Sequence, residues 1–154
     1  MDAATVLQLD ARQTRLRADP HAPDVLALAL GRDDVAAIFH SPLTAADIER
    51  AIERVEDAIG HPKVEIARAL KVRGDETLRR LAEAAGLTGG PDLSLTTEAV
   101  EALFTRLARQ AAGAVPVADR LPEDARFAAT LVLLRELMHH LRVSTLSIDR
   151  GAVN

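Results

Sequence analysis

The stretch RFAATLVLLRELMHHLRVSTLSI, residues 126–148, decides the fold. Its first half carries Phe127, Ala128, Ala129, Leu131, Val132, Leu133 and Leu134 with almost no polar face, and a helix that is apolar all round is buried on most sides. The run predicts a central core helix. After Leu134 the pattern narrows to Leu137, Met138 and Leu141 at helical spacing, then changes to the β-branched, alternating series Val143, Thr145, Leu146, Ile148. A helix therefore runs into a strand.

Upstream, Thr5 to Asp10 and Thr14 to Ala18 read as two strands joined by the polar turn Ala11-Arg12-Gln13. Val25 to Leu30 alternates large and small apolar residues, the pattern of a strand covered on both faces, and Gly31 ends it. Short connections make these three an antiparallel meander. A short helical turn is expected from Asp33 or Asp34 to Phe39. Thr44 caps a longer helix, with Asp47 closing a capping box and Ile48, Ala51, Ile52, Val55 and Ile59 forming one apolar stripe that stops at Gly60. Lys63 to Val72 fits a strand or a helix opened by Pro62, and the strand is preferred.

Gly74-Asp75 reads as turn and N-cap of a short helix with Leu78, Leu81, Ala82 and Ala85, closed by Gly86. Gly89-Gly90-Pro91 is a loop, Thr96 or Thr97 starts a helix that ends at Gly113, and Pro122, with Glu123 and Asp124 in the first turn, opens the central helix. The order is β-β-β-α-β-α-α-α-β. It predicts an α/β fold of the ribonuclease-H-like (actin-like ATPase) plan: one lobe over residues 1–154, a mixed sheet of about five strands, and helices on both faces.

Composition excludes several functions. The chain has no cysteine, which removes disulfides, thiolate catalysis and thiolate metal sites together. A net charge of -4, three Phe and no Trp or Tyr argue against a nucleic-acid surface. Arg135 and Glu136 break the longest apolar run, so no membrane span is expected, and the start MDAATVLQLDARQ lacks the form of a signal peptide. A cytoplasmic location is the expectation.

LTAADIERAIERVEDAIG (43–60), LSLTTEAVEALFTRLARQ (93–110) and LPEDARFAATLVLLRELMHHLRVSTLSIDRG (121–151) together resemble the second actin-like lobe of the exopolyphosphatase and guanosine pentaphosphate phosphohydrolase (Ppx/GppA) family. In that family a capped helix, a leucine-rich helix after a loop and a helix-to-strand segment ending in Ser-Asp-x-Gly recur in this order. Here the last is Ser147-Ile148-Asp149-Arg150-Gly151. The resemblance implies a phosphate site with Asp10 after the first strand and Gly74, Asp75 and Thr77 after a later one. It also implies a first lobe that supplies the catalytic carboxylate, to which nothing here corresponds.

The departures bear on activity. Where the family has an Asp followed by a glycine-rich phosphate loop, this chain continues Asp10-Ala11-Arg12-Gln13. Backbone amides approach phosphate in conformations that side chains obstruct, so glycines matter there. The second loop is reduced to Arg73-Gly74-Asp75-Glu76-Thr77, whose carboxylates repel an anion.

Other candidates are weaker. His139 and His140 are adjacent, so on a helix they point about 100° apart and do not chelate one ion together. His21, His40 and His61 read as loop surface residues, the Glu and Arg series from Asp47 to Asp57 as a solvated face, and Ser144, Thr145 and Ser147 lack the basic partner of a nucleophile. No catalytic residue and no metal site is assigned. The expected protein is a catalytically degenerate exopolyphosphatase-like lobe acting as a binding or assembly module. It is expected to self-associate as a homodimer through apolar surface, with no cofactor. Three alternatives to this reading stay open. Asp10 and Gly74 as a residual Mg2+-dependent polyphosphate or guanosine-phosphate hydrolase site is one, a nucleotide-binding or other phosphate-containing small-molecule site is another, and an unrelated α/β protein is the third.

Overall fold

Leu7, Leu9, Leu16, Leu70, Val72, Leu93, Leu95, Leu146 and Ile148 are all buried and alternate with more exposed, mostly polar neighbours along their strands. Alternation of this kind makes a sheet with one apolar face. In the computed structural model, which describes residues 5–62, 66–87, 92–113 and 116–149, the strands are β1 (Thr5–Leu9), β2 (Thr14–Arg17), β3 (Asp24–Leu28), β4 (Ala69–Arg73), β5 (Asp92–Thr96) and β6 (Thr145–Asp149). The helices are α1 (Arg32–Ala36), α2 (Ala45–Ile59), α3 (Glu76–Ala84), α4 (Thr97–Ala111) and α5 (Ala125–His140), with one 3-10 turn at Val117–Asp119.

The six strands form one mixed sheet in the order β3-β2-β1-β4-β6-β5. The β1-β2-β3 meander is antiparallel, β1, β4 and β6 are parallel, and β5 returns antiparallel to β6. Register lines up the core: Leu7 lies opposite Val72, Val72 opposite Ile148, and Ile148 opposite Leu93. Each such side chain taken out of water contributes about 1.5–3 kcal/mol of transfer free energy.

The α5 helix lies over this face as the sequence predicts. Every residue from Phe127 to Leu134 is buried, and α1, α2, α3 and α4 all pack against it. Asp124 caps it by accepting a hydrogen bond from the Arg126 amide, so the helix begins at Ala125 and not at Pro122: the carboxylate satisfies an amide of the first turn. The capping box of α2 is present as expected, with the Thr44 hydroxyl accepting from the Asp47 amide and the Asp47 carboxylate accepting from the Thr44 amide.

The mixed α/β architecture is the expected one, with three differences. The described residues form six strands, because Asp92–Thr96 pairs with β6. Only Leu93 and Leu95 mark β5, too short an alternation to stand out beside the helix that follows. The preceding loop, Gly89-Gly90-Pro91, lies outside the described residues. Among the described residues helices cover one sheet face; the other, expected to be covered as well, carries Gln8, Arg15, Arg17, Lys71, Ser94 and Ser147, half-buried or exposed. Finally, β3 is an edge strand with β2 as its sole neighbour among the described residues, and it is not covered on both faces: Asp24, Val25 and Ala27 are exposed, Val25 at 39%. Within the stretch read as strand from Lys63 to Val72, the strand begins at Ala69, and residues 63–65 fall outside the description. No helix among the described residues is long and apolar enough to cross a membrane.

Candidate functional site

The parallel strands β1, β4 and β6 end on the same side, at Leu9, Arg73 and Asp149. Open α/β sheets bind ligands beyond the carboxyl ends of such strands. An open cleft of about 510 Å³ lies there, lined by Gln8, Asp10, Arg17, Arg73, Gly74 and Asp75 among others. Three of the four residues expected from the sequence therefore meet in one place. Thr77 does not line the cleft; it is buried in the first turn of α3.

Asp10 is held by short-range polar contacts. The Gln8 side-chain amide donates to both carboxylate oxygens, at 3.3 and 3.1 Å, and the Arg15 guanidinium lies 3.3 Å away. The turn after it is closed by the Asp10 amide donating to the Gln13 carbonyl. The start of α1 then seals it, because the Arg32 amide donates to the Asp10 carbonyl and the Asp33 amide to the Ala11 carbonyl. Gly31 permits this approach, since a Cβ there would lie 2.4 Å from the backbone of Ala11 and Arg12.

Gly74 is fixed by a different constraint. Its amide donates to the Asp149 carbonyl at 2.5 Å, and a Cβ on it would lie 2.5 Å from that oxygen. The glycine lets β4 and β6 close on each other at their ends, and its N–H is engaged within the protein. Asp75 is engaged on both oxygens: one accepts from the Leu78 amide and caps α3, the other takes the Arg32 guanidinium at 2.5 Å. Arg32 is 5% exposed, and its Nε has no partner among the described residues.

A helix N-terminus favours an anion because its amides are unsatisfied and its dipole is positive there. At α3 that position belongs to the Asp75 carboxylate, with Arg32 neutralising it. The Arg32–Asp75 pair was not visible in the sequence, because nothing in the spacing of two residues on different elements signals their contact.

The Mg2+ that phosphohydrolase chemistry would use does not fit these donors. Asp10 and Asp75 are both engaged by an arginine, and a magnesium ion bound through carboxylates would have to displace those cations.

The histidines separate into two cases. His40 is the exposed loop residue the sequence predicts, its side chain 72% accessible, and its Nδ1 also lies 2.7 Å from the buried Asp47 carboxylate. His139 and His140 stand edge to face, ring centroids 5.3 Å apart, and do not converge on one point. His140 instead faces Glu136, a buried carboxylate in the C-terminal half of α5. Burial pushes the Glu136 carboxyl above its usual range, with nearby Arg135 and His140 pulling against this and Glu56 adding to it.

No protein-family model matches the sequence, and no curated protein is significantly similar to it. Solved structures are similar in fold. The Ppx/GppA phosphatase of Aquifex aeolicus superposes with a TM-score of 0.71 at 15% identity, over 95% of this chain and 52% of that one. An exopolyphosphatase-like protein gives 0.64 at 16% identity, over 96% and 54%. An exopolyphosphatase from Cytophaga hutchinsonii gives 0.60 at 9% identity, over 96% and 53%. The chain spans about half the length of these structures, and what it shares with the Ppx/GppA exopolyphosphatases is the fold of one such half.

Proposed function

We propose that this is a catalytically silent, exopolyphosphatase-like lobe that serves as a binding or assembly module. The observation that carries the reading is the Asp75 carboxylate, which caps α3 and pairs with Arg32 at the place where a phosphate would otherwise sit. Gly74 contributes in the same sense, because its amide is spent on Asp149. The structural neighbours are exopolyphosphatases and a phosphatase, and that activity needs a cleft able to hold a phosphate chain.

As a module the chain self-associates, forming a homodimer. Val25 is the large hydrophobic side chain that the described residues leave exposed, and it lies on the free edge of β3. An unpaired strand edge is a template for pairing with a second copy, so the contact runs along this edge.

A second reading, residual phosphate-ligand binding, draws on the cleft itself, where Arg17 and Arg73 join Asp10 and Gly74. Thermal unfolding with polyphosphate, ATP and guanosine tetraphosphate, with and without magnesium, separates the two. The silent lobe shows no stabilisation at millimolar ligand. A stabilisation that disappears in Asp10→Ala establishes the second reading instead.

A further inference from the structure

Away from the cleft, α2 and α5 bring three metal-binding side chains together. Glu136 and His140 are one helical turn apart on α5, and Glu56 reaches them from the last turn of α2. The His140 Nε2 atom is 3.3 Å from a Glu136 oxygen and 3.6 Å from a Glu56 oxygen, and one ligand atom from each residue lies within 4.8 Å of the other two. His140 ends α5 before the chain turns into β6, whereas the cleft lies beyond the far end of β6.

We infer that Glu56, Glu136 and His140 form a binding site for a zinc-class divalent cation, independent of the phosphate-site question. The spacing is the main argument. A hydrogen bond between an imidazolium and a carboxylate closes to about 2.7–2.9 Å, shorter than either His140 contact. Around a tetrahedral zinc ion with bonds of about 2.0–2.1 Å, neighbouring ligand atoms stand about 3.3–3.5 Å apart; the His140–Glu136 distance of 3.3 Å falls in this range and the His140–Glu56 distance of 3.6 Å lies just beyond it, within reach of a small side-chain adjustment.

The chemistry of the donor set agrees. One imidazole with two carboxylates is a zinc set that leaves a fourth position for water. Glu136 is already oriented: its other oxygen takes the Arg135 guanidinium at 2.8 Å, and Arg135 is itself held by Glu101 at 3.0 Å and stacked over Phe104 at 4.0 Å. Such outer contacts fix a ligand's direction. Two carboxylates, one buried, converge with a single arginine to offset them, and a divalent cation removes both the desolvation cost and the Glu56–Glu136 repulsion.

The test is calorimetric titration of the chelator-treated full chain with zinc chloride, followed by thermal unfolding. One equivalent binds and raises Tm. Glu56→Gln and His140→Ala, both at partly exposed positions where folding is preserved, each weaken binding by at least about tenfold, whereas His139→Ala leaves it unchanged. No heat and no Tm change with zinc in large excess over the protein would overturn the site. So would binding retained in the Glu56→Gln/His140→Ala double variant, which would place the ion elsewhere on the surface.

Discussion

Arg32 and Asp75, 43 residues apart in the chain, are joined by a 2.5 Å ion pair that ties the first turn of α1 to the cap of α3. The guanidinium is almost fully buried, while the carboxylate is about one-third exposed and also caps α3. Removing the arginine strands a partly desolvated carboxylate, whereas removing the aspartate strands a buried cation.

Arg32→Ala is therefore expected to lower stability by about 2 kcal/mol, the usual magnitude for a hydrogen bond to a charged group. Asp75→Ala costs more, because the cap is lost as well and the cation is left unpaired. Urea unfolding measures both. Arg32→Ala within about 0.5 kcal/mol of the parent, the range of an ordinary surface change, would show that the pair is incidental.

Gly31 tests how the turn after β1 is closed. A Cβ at residue 31 meets three backbone atoms of Ala11 and Arg12 at 2.4 Å, and backbone cannot swing aside as a side chain can. Gly31→Ala is expected to destabilise by about 1–3 kcal/mol or to shift α1 away from the turn. Thermal unfolding reads the first and amide-exchange protection of Arg32 and Asp33 reads the second; a variant unchanged in both contradicts the close approach.

The elements that were legible in the sequence are those with a long or strongly marked pattern. The apolar run Phe127–Leu134, the Thr44–Asp47 capping box and the strand from Thr14 to Arg17 all took the predicted form, because each is decided by local periodicity or a local hydrogen bond. What was not legible depends on neighbours. The edge position of β3 follows from the strand order, and β5 rests on two leucines whose meaning comes from pairing with β6. The meeting of Asp10, Gly74 and Asp75 followed from the order of parallel strands. The contacts that fill that site, Arg32 with Asp75 and Gly74 with Asp149, join separate elements and leave no trace in spacing.

Asp47 is expected to contribute to the acid limit of the fold. It is fully buried, which by itself raises the pKa of its carboxyl. Hydrogen bonds from the His40 amide and ring and from the Thr44 amide and hydroxyl outweigh this and hold it well below the usual carboxylate range. The group is more acidic folded than unfolded, so its contribution is present above the unfolded value of 3.8 and is lost as pH falls below it towards the folded value. Stability measured by denaturant between pH 6 and about pH 2 is expected to fall on the acid side, and Asp47→Asn to be less stable at neutral pH with a flatter acid limb. An acid limb of equal slope in the variant would assign the effect to other groups.

Leu131→Ala tests the buried centre of α5. The residue is 0% exposed in the middle of a helix surrounded by four others, where relaxation around a cavity is limited. A loss of about 2–5 kcal/mol is expected in equilibrium unfolding. A loss below about 1 kcal/mol would mean that α5 is not packed on all sides.

The most direct test of a silent lobe is phosphate release from long-chain polyphosphate and guanosine pentaphosphate by the purified chain with magnesium. The filled α3 terminus and the engaged Gly74 amide predict release indistinguishable from that of a protein-free control, in the parent and in Asp10→Ala alike. Magnesium-dependent release by the parent that is abolished in Asp10→Ala would contradict the account.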